Sequence, residues 1–161
     1  MKIDFADQIF ALVRLGKYDQ ALELCNKLLP SEPRRCDWLG MRAYVHRSAG
    51  DAVRAYIDLR NAIECSDDPR PHLSKLARWL LEDGAYVECR TAAEKLVSLD
   101  RTAGSKFFID HGLMILAMAS WKLGDINRAK QLLDEMEDAE NMHFGGQLVS
   151  KSWLQAEISK L

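Results

Sequence analysis

Long apolar runs are scarce in this sequence. The longest, Leu113 to Ala119, is far short of the ~20 residues that a helix needs to cross a bilayer. Charged and polar side chains interrupt the first fifteen residues, so these do not resemble the apolar core of a secretory signal. These absences exclude a membrane partner and predict a cytoplasmic location.

Metal-ligand and redox motifs are also missing. No two cysteines form a CxxC pair, and no histidines stand at metal-ligand spacing. We therefore expect free, mostly buried thiols in a reducing compartment, no metal site and no other cofactor. The four cysteines are Cys25, Cys36, Cys65 and Cys89.

Concentrated positive charge is absent as well. The chain has a net charge of −2, and a nucleic-acid partner would require a basic stripe strong enough to attract phosphate. The densest basic group, Arg34, Arg35 and Arg42, is too small for that. We expect no nucleic-acid partner.

No constellation of side chains indicates catalysis. A nucleophile beside a base, two opposed carboxylates or a phosphate-binding glycine loop cannot be recognised, so we expect that the protein is not an enzyme. Five acids near residue 137 favour a solvated helix end, with a site for a basic partner or a weak cation site as the alternative. They are Asp134, Glu135, Glu137, Asp138 and Glu140.

A repeat organises what is present. Gly16, Gly50 and Gly84 are 34 residues apart, and Gly124 follows after 40. A period of this length predicts a stack of helical hairpins, in which glycine ends one helix in a left-handed conformation and the chain turns into the next. Five places after each glycine the residue is small, as close helix contact requires: Ala21, Ala55, Cys89 and Ala129.

Apolar spacing on both sides of each glycine predicts the helices. A linker over 138–146 separates them from a capping helix over 147–160, and Met142 and Phe144 in that linker are expected to pack back onto the array. The helices of the hairpins are predicted over 3–15, 18–29, 35–49, 51–64, 71–83, 85–99, 105–123 and 126–138.

Three segments after the glycines share a motif: GKYDQAL at Gly16–Leu22, GAYVECR at Gly84–Arg90 and GDINRAK at Gly124–Lys130. In this motif the chain resembles the tetratricopeptide repeat family, although Gln8 and Arg42 stand where the family usually buries an apolar residue. The resemblance implies an all-α fold of about nine helices, a right-handed α-α superhelix of antiparallel helix pairs. It also implies one TPR-like domain over 1–161, with units over 2–33, 35–68, 70–101 and 105–138.

The resemblance also implies where a partner binds, because the first helices of such hairpins line the concave face. That face would combine cations with apolar anchors, which is typical of binding hot spots, and would suit an acidic partner with apolar anchors. The residues that occupy it are Phe10, Arg14, Tyr44, Arg47, Arg78, Met114, Met118, Trp121 and Lys122.

The function expected from this resemblance is protein binding, by an adaptor or a dedicated chaperone that holds a partner polypeptide in its concave groove. Two alternatives stay open: an immunity protein that neutralises a toxin enzyme, and a self-assembling scaffold. The sequence is compatible with a monomer or a weak dimer. The apolar members of the predicted face could also be ordinary packing between repeats.

Overall fold

The computed structural model describes residues 4–30, 34–137, 141–144 and 146–160, and this part of the chain is mostly helical. It contains nine helices and one short β-hairpin, so the predicted all-α class is confirmed. The helices are α1 (Phe5–Arg14), α2 (Tyr18–Leu28), α3 (Arg35–Ser48), α4 (Ala52–Cys65), α5 (Arg70–Glu82), α6 (Tyr86–Thr102), α7 (Ile109–Lys122), α8 (Ile126–Glu135) and α9 (Lys151–Ile158), and the strands are β1 (Asn141–Phe144) and β2 (Gln147–Ser150).

Helices α1 to α8 form four hairpins, each with a first and a second helix. The glycine between the two helices has a positive φ in every hairpin, between 69° and 83°. The N–H after that glycine donates to a carbonyl five residues earlier, for example Lys17 to Leu12 and Asp125 to Ser120, both at 2.9 Å. Glycine is suited to this helix end because it lacks the Cβ that penalises positive φ.

The small residues predicted at the helix crossings are fully buried in all four hairpins. The Cys89 thiol on α6 donates to the Ala77 carbonyl on α5 at 3.2 Å, which only closely spaced helices allow. Between α6 and α7 the approach is also tight, because a Cβ on Gly112 would lie 2.8 Å from Val97 Cγ2. Small side chains at these points therefore set the distance between the helices.

Two compact units divide the chain, Met1–His72 and Leu73–Leu161. In the first unit Ile9, Val13, Cys25, Trp38 and Val45 form a buried core between α1, α2 and α3. In the second unit α7 supplies a continuous buried stretch from Gly112 to Ser120. This explains why α7 is the most apolar helix of the chain.

The longer interval between Gly84 and Gly124 has a specific anchor. Helix α6 continues to Thr102, and Asp100 near its end is fully buried. One Asp100 carboxylate oxygen accepts the Phe108 N–H at 3.1 Å, just before α7 begins. The extra residues therefore lengthen α6 and form a loop that this carboxylate holds to the start of α7.

The C-terminal prediction needs a correction, because residues 147–150 are a strand and not the start of a capping helix. β1 and β2 pair antiparallel, with Met142 opposite Val149. Gly146, at φ 81°, supplies the turn, and a glycine pair between short alternating segments is a hairpin signal. Met142 is buried and Phe144 half-buried, so neither side chain is freely solvated, whereas their packing onto the helical array stays a prediction. Helix α9 then buries Leu154 and Ile158.

No helix among the described residues has the length and apolar character needed to cross a membrane.

The prediction of four free thiols is wrong for two of them. Cys36 and Cys65 form a disulfide, with 5.8 Å between their Cα atoms, whereas Cys25 and Cys89 are free and buried. The bond joins the first turn of α3 to the last residue of α4. The two cysteines are 29 residues apart in sequence, and they become neighbours only because α4 runs back alongside α3 to the end where α3 begins.

We predict that the unfolded, unreduced protein contains two reactive thiols. Thiol titration in denaturant, with and without prior reduction, measures this number directly. Two thiols before reduction and four after it are expected, because Cys25 and Cys89 become accessible on unfolding while Cys36 and Cys65 stay bonded. Four thiols before reduction would contradict the disulfide.

Candidate functional site

An aromatic pair marks the predicted binding face in the first unit. Phe10 on α1 and Tyr44 on α3 pack edge to face, with 5.3 Å between their ring centroids. Phe10 nonetheless keeps 39% of its surface exposed, and Tyr44 is half-buried. The two first helices therefore present aromatic surface at a shared edge.

Cations lie one turn further along the same helices. Arg14 is exposed at the end of α1. Arg47 is half-buried near the end of α3, and its guanidinium lies 6.0 Å from the ring centroid of Tyr56 on α4. Contact with an aromatic ring holds a guanidinium in place without neutralising it. The Arg47 guanidinium therefore faces a ring on a second helix, whereas Arg14 is exposed at the end of a first helix.

In the second unit the predicted cations Arg78 and Lys122 are exposed near the C-terminal ends of their helices, whereas Trp121 is half-buried. Arg78 on α5 lies 3.7 Å from Glu82, one turn away, in a partly exposed ion pair. Lys122 lies over the Trp121 ring, 4.2 Å from its centroid. Trp121 also meets Trp153 of α9 edge to face at 6.1 Å. Trp153 is a neighbour that the repeat pattern does not reveal, because it lies outside the four hairpins.

Met114 and Met118 require a correction. Both are fully buried on α7, so neither is available at the surface as an apolar anchor. The even apolar character of α7 explains the error, because a helix that is apolar all round buries every face. These methionines contribute to the packing of the second unit.

Gly40 makes space for a neighbouring side chain within the first unit. It lies on α3, and a Cβ in its place would be 2.7 Å from the imidazole Cε1 of His72. Both residues are buried. The absent side chain makes room for the histidine ring, so this glycine serves packing within the first unit.

Part of the acidic group has a structural explanation. Glu135 accepts a hydrogen bond from Arg101 at 2.6 Å, and Glu137 accepts from Lys106 at 2.7 Å. Asp134 is exposed, and Asp138 and Glu140 lie outside the described residues. Where the structure describes them, histidine, cysteine and acidic side chains form no group of three that could hold a metal ion.

A partly buried charge pair crosses the second hairpin. The Arg42 guanidinium donates from Nε and Nη2 to the two carboxylate oxygens of Asp58, both at 2.7 Å, and from Nη1 to Asn26 at 2.8 Å. Helices α2, α3 and α4 are thereby joined. In the fourth hairpin the equivalent positions carry Leu116 and Leu132. Arg42 can occupy a position that is usually apolar because Asp58 neutralises its charge. The spacing of the repeats does not by itself identify Asp58 as the partner.

Burial shifts the pKa values of His46 and Cys25, near this pair, and of Cys89 in the second unit. It lowers the pKa of His46, with the Asp58 carboxylate partly opposing the effect. It raises the pKa of the Cys25 thiol to about 11 and that of Cys89 to about 12. Thiols with such pKa values are scarcely ionised near neutral pH and are poor nucleophiles. They fit a packing role.

Each unit has a shallow cavity at equivalent positions of its repeats. In the first unit a cavity of about 770 Å³ lies over Leu39 and Arg42 of α3. In the second unit one of about 240 Å³ lies over Leu113 and Leu116, the equivalent positions of α7. Each is a groove between successive second helices with a first helix as its floor. The grooves therefore follow from hairpin stacking.

We predict that Arg42→Leu lowers the free energy of unfolding by about 3 to 5 kcal/mol, because it leaves the buried Asp58 carboxylate without its bidentate partner. The double variant Arg42→Leu/Asp58→Leu should recover most of this loss, since it recreates the apolar pair of the fourth hairpin. Urea unfolding of both variants gives the comparison. Equal losses in the single and double variants would show that the charge pair does not determine the stability of this hairpin.

Comparison of the chain with family models gives no match, and comparison with curated proteins gives none either. The repeat type therefore stays a prediction from the motifs, and a function has to be inferred from the surfaces of the two units.

Proposed function

We propose that this protein is a non-enzymatic, tetratricopeptide-like binding module, an adaptor or a dedicated chaperone that holds a partner polypeptide on the face formed by its first helices. The observation that carries the proposal is the aromatic pair Phe10 and Tyr44, which remains partly open to solvent at the edge between α1 and α3.

The chemistry of this face suits a polypeptide partner. An aromatic ring supplies a large apolar contact area at a small cost in side-chain entropy, and arginine beside it adds directional hydrogen bonds. Binding energy at interfaces is concentrated in such residues. Phe10 and Tyr44 would receive an apolar anchor, and Arg14 would meet a carboxylate beside it.

Charge favours an acidic partner. The chain as a whole carries a net charge of −2, yet in the first unit exposed Arg14 and half-buried Arg47 follow Phe10 and Tyr44 by one turn on their helices. A local excess of positive charge speeds association with acidic segments and disfavours basic ones. In the second unit Trp121 beside Lys122 repeats the combination of aromatic ring and cation.

The cytoplasmic location belongs to the same proposal. A reducing compartment does not explain the Cys36–Cys65 disulfide. An immunity protein and a self-assembling scaffold remain the alternatives to this proposal.

We predict that Phe10→Ala and Arg14→Glu each weaken partner binding, by ten-fold or more, because they remove the exposed ring and reverse the adjacent charge. The partner is first captured from cytoplasm of the source cells, identified, purified and then titrated by calorimetry. Phe107→Ala is the matched control, since Phe107 is 81% exposed but lies in the loop before α7.

Wild-type affinity in Phe107→Ala and weak binding in the other two variants would support the proposal. Unchanged affinity in Phe10→Ala and Arg14→Glu, with helix content preserved, would contradict it.

A further inference from the structure

Helix α4 carries an apolar stripe on the side opposite its core contacts. Val53 is 72% exposed and Ile57 52% exposed, and Tyr56 and Arg60 complete an i, i+3, i+4, i+7 pattern. The buried residues of α4 lie on the other side of the helix, so its own packing does not require this stripe. The buried set is Ala55, Asp58, Leu59 and Ala62.

The equivalent positions of the other second helices show how unusual this stripe is. Three, seven and ten places after the hairpin glycine, every second helix is exposed. At these positions α4 has two aliphatic residues and an arginine, whereas the other three helices are polar apart from Val87. Their residues are Asp19, Glu23 and Asn26 in α2, Val87, Thr91 and Glu94 in α6, and Asn127, Gln131 and Asp134 in α8.

Two arginines border the stripe. The guanidinium carbons of Arg47 and Arg60 lie 6.0 and 5.9 Å from the centroid of the Tyr56 ring. Arg54 pairs with Asp51 at 3.4 Å, and Glu64 lies one turn after Arg60, at the C-terminal end of the stripe. The centre of the stripe is thus apolar, and Arg47 and Arg60 place positive charge beside the Tyr56 ring.

We infer that this outward face of α4 is a second docking surface, and that it receives an acidic amphipathic helix of a partner protein. Aliphatic side chains of that helix would cover Val53 and Ile57, and its carboxylates would meet Arg47 and Arg60. Charge complementarity favours this occupant. A second copy of the chain fits less well, because it would bring like-charged arginines together.

The inference shares only Arg47 with the first-helix face, since Val53, Tyr56, Ile57 and Arg60 all lie on the second helix α4. A defined probe tests it: an acetylated and amidated 16-residue peptide with leucine at i, i+3, i+4 and i+7 and glutamate on the flanks of that stripe. The matched control peptide carries lysine in place of each glutamate. Amide chemical shifts of the ¹⁵N-labelled protein report where each peptide binds.

The glutamate peptide should shift the α4 amides from Val53 to Glu64, and the lysine peptide should not. Val53→Ala/Ile57→Ala and Arg60→Glu should each weaken the binding at least ten-fold. Val87→Ala, which removes an exposed valine from the equivalent position of α6, should leave it unchanged.

Three results would overturn the inference. The first is an absence of α4 shifts, or shifts confined to the surroundings of Phe10 and Tyr44. The second is equal binding of the two peptides, which would remove the charge argument. The third is a concentration-dependent shift of α4 amides without peptide together with a dimer mass in sedimentation, which would assign the face to a second copy.

Discussion

The close approach of two helices at one small side chain is the contact on which each hairpin depends. Ala21, Ala55, Cys89 and Ala129 are fully buried, one in each second helix. A side chain of ordinary size at these positions would separate the helices, with overpacking costs of about 1 to 3 kcal/mol. Because the two helices cross at this small residue, the turn glycine stands five residues before it in every hairpin.

A scaffold held in this way leaves its other faces free to differ between hairpins. The second hairpin uses that freedom most. Its core includes the Arg42–Asp58 pair where the fourth hairpin has two leucines, and its outward face exposes Val53 and Ile57. The two surfaces proposed for binding, on the first helices and on α4, are therefore local departures built on a common frame.

The sequence predicts the hairpins well because short-range rules determine them. Apolar periodicity and glycine spacing give the number of helices and most of their ends to within a few residues. The sequence analysis does not predict the hairpin at 141–150, because a glycine pair is compatible with a flexible linker as well as with a two-residue hairpin turn. The disulfide was missed because Cys36 and Cys65 are distant in sequence and close only after the hairpin forms.

The candidate site was less predictable than the fold. Position in the repeat identified Phe10 and Tyr44, which the structure brings into contact, but it also selected Met114 and Met118, which are buried. A repeat alignment gives the direction of a side chain and not the apolar content of the helices around it. Trp153 lies on α9, outside the four repeats, so the repeat alignment gives no prediction for it. The apolar stripe of α4 can be recognised only from the exposure of Val53 and Ile57, which the sequence does not give.

The most direct test of close helix contact is the stability of variants in which the small residue at a helix crossing is replaced by a large one. Ala55→Leu and Ala129→Leu introduce a large side chain at two crossings, and Ala156→Leu introduces the same side chain at an exposed position of α9. Urea unfolding should show losses of about 1 to 3 kcal/mol for the first two and almost none for the third. Wild-type stability in all three would mean that close helix contact at these alanines does not hold the hairpins together.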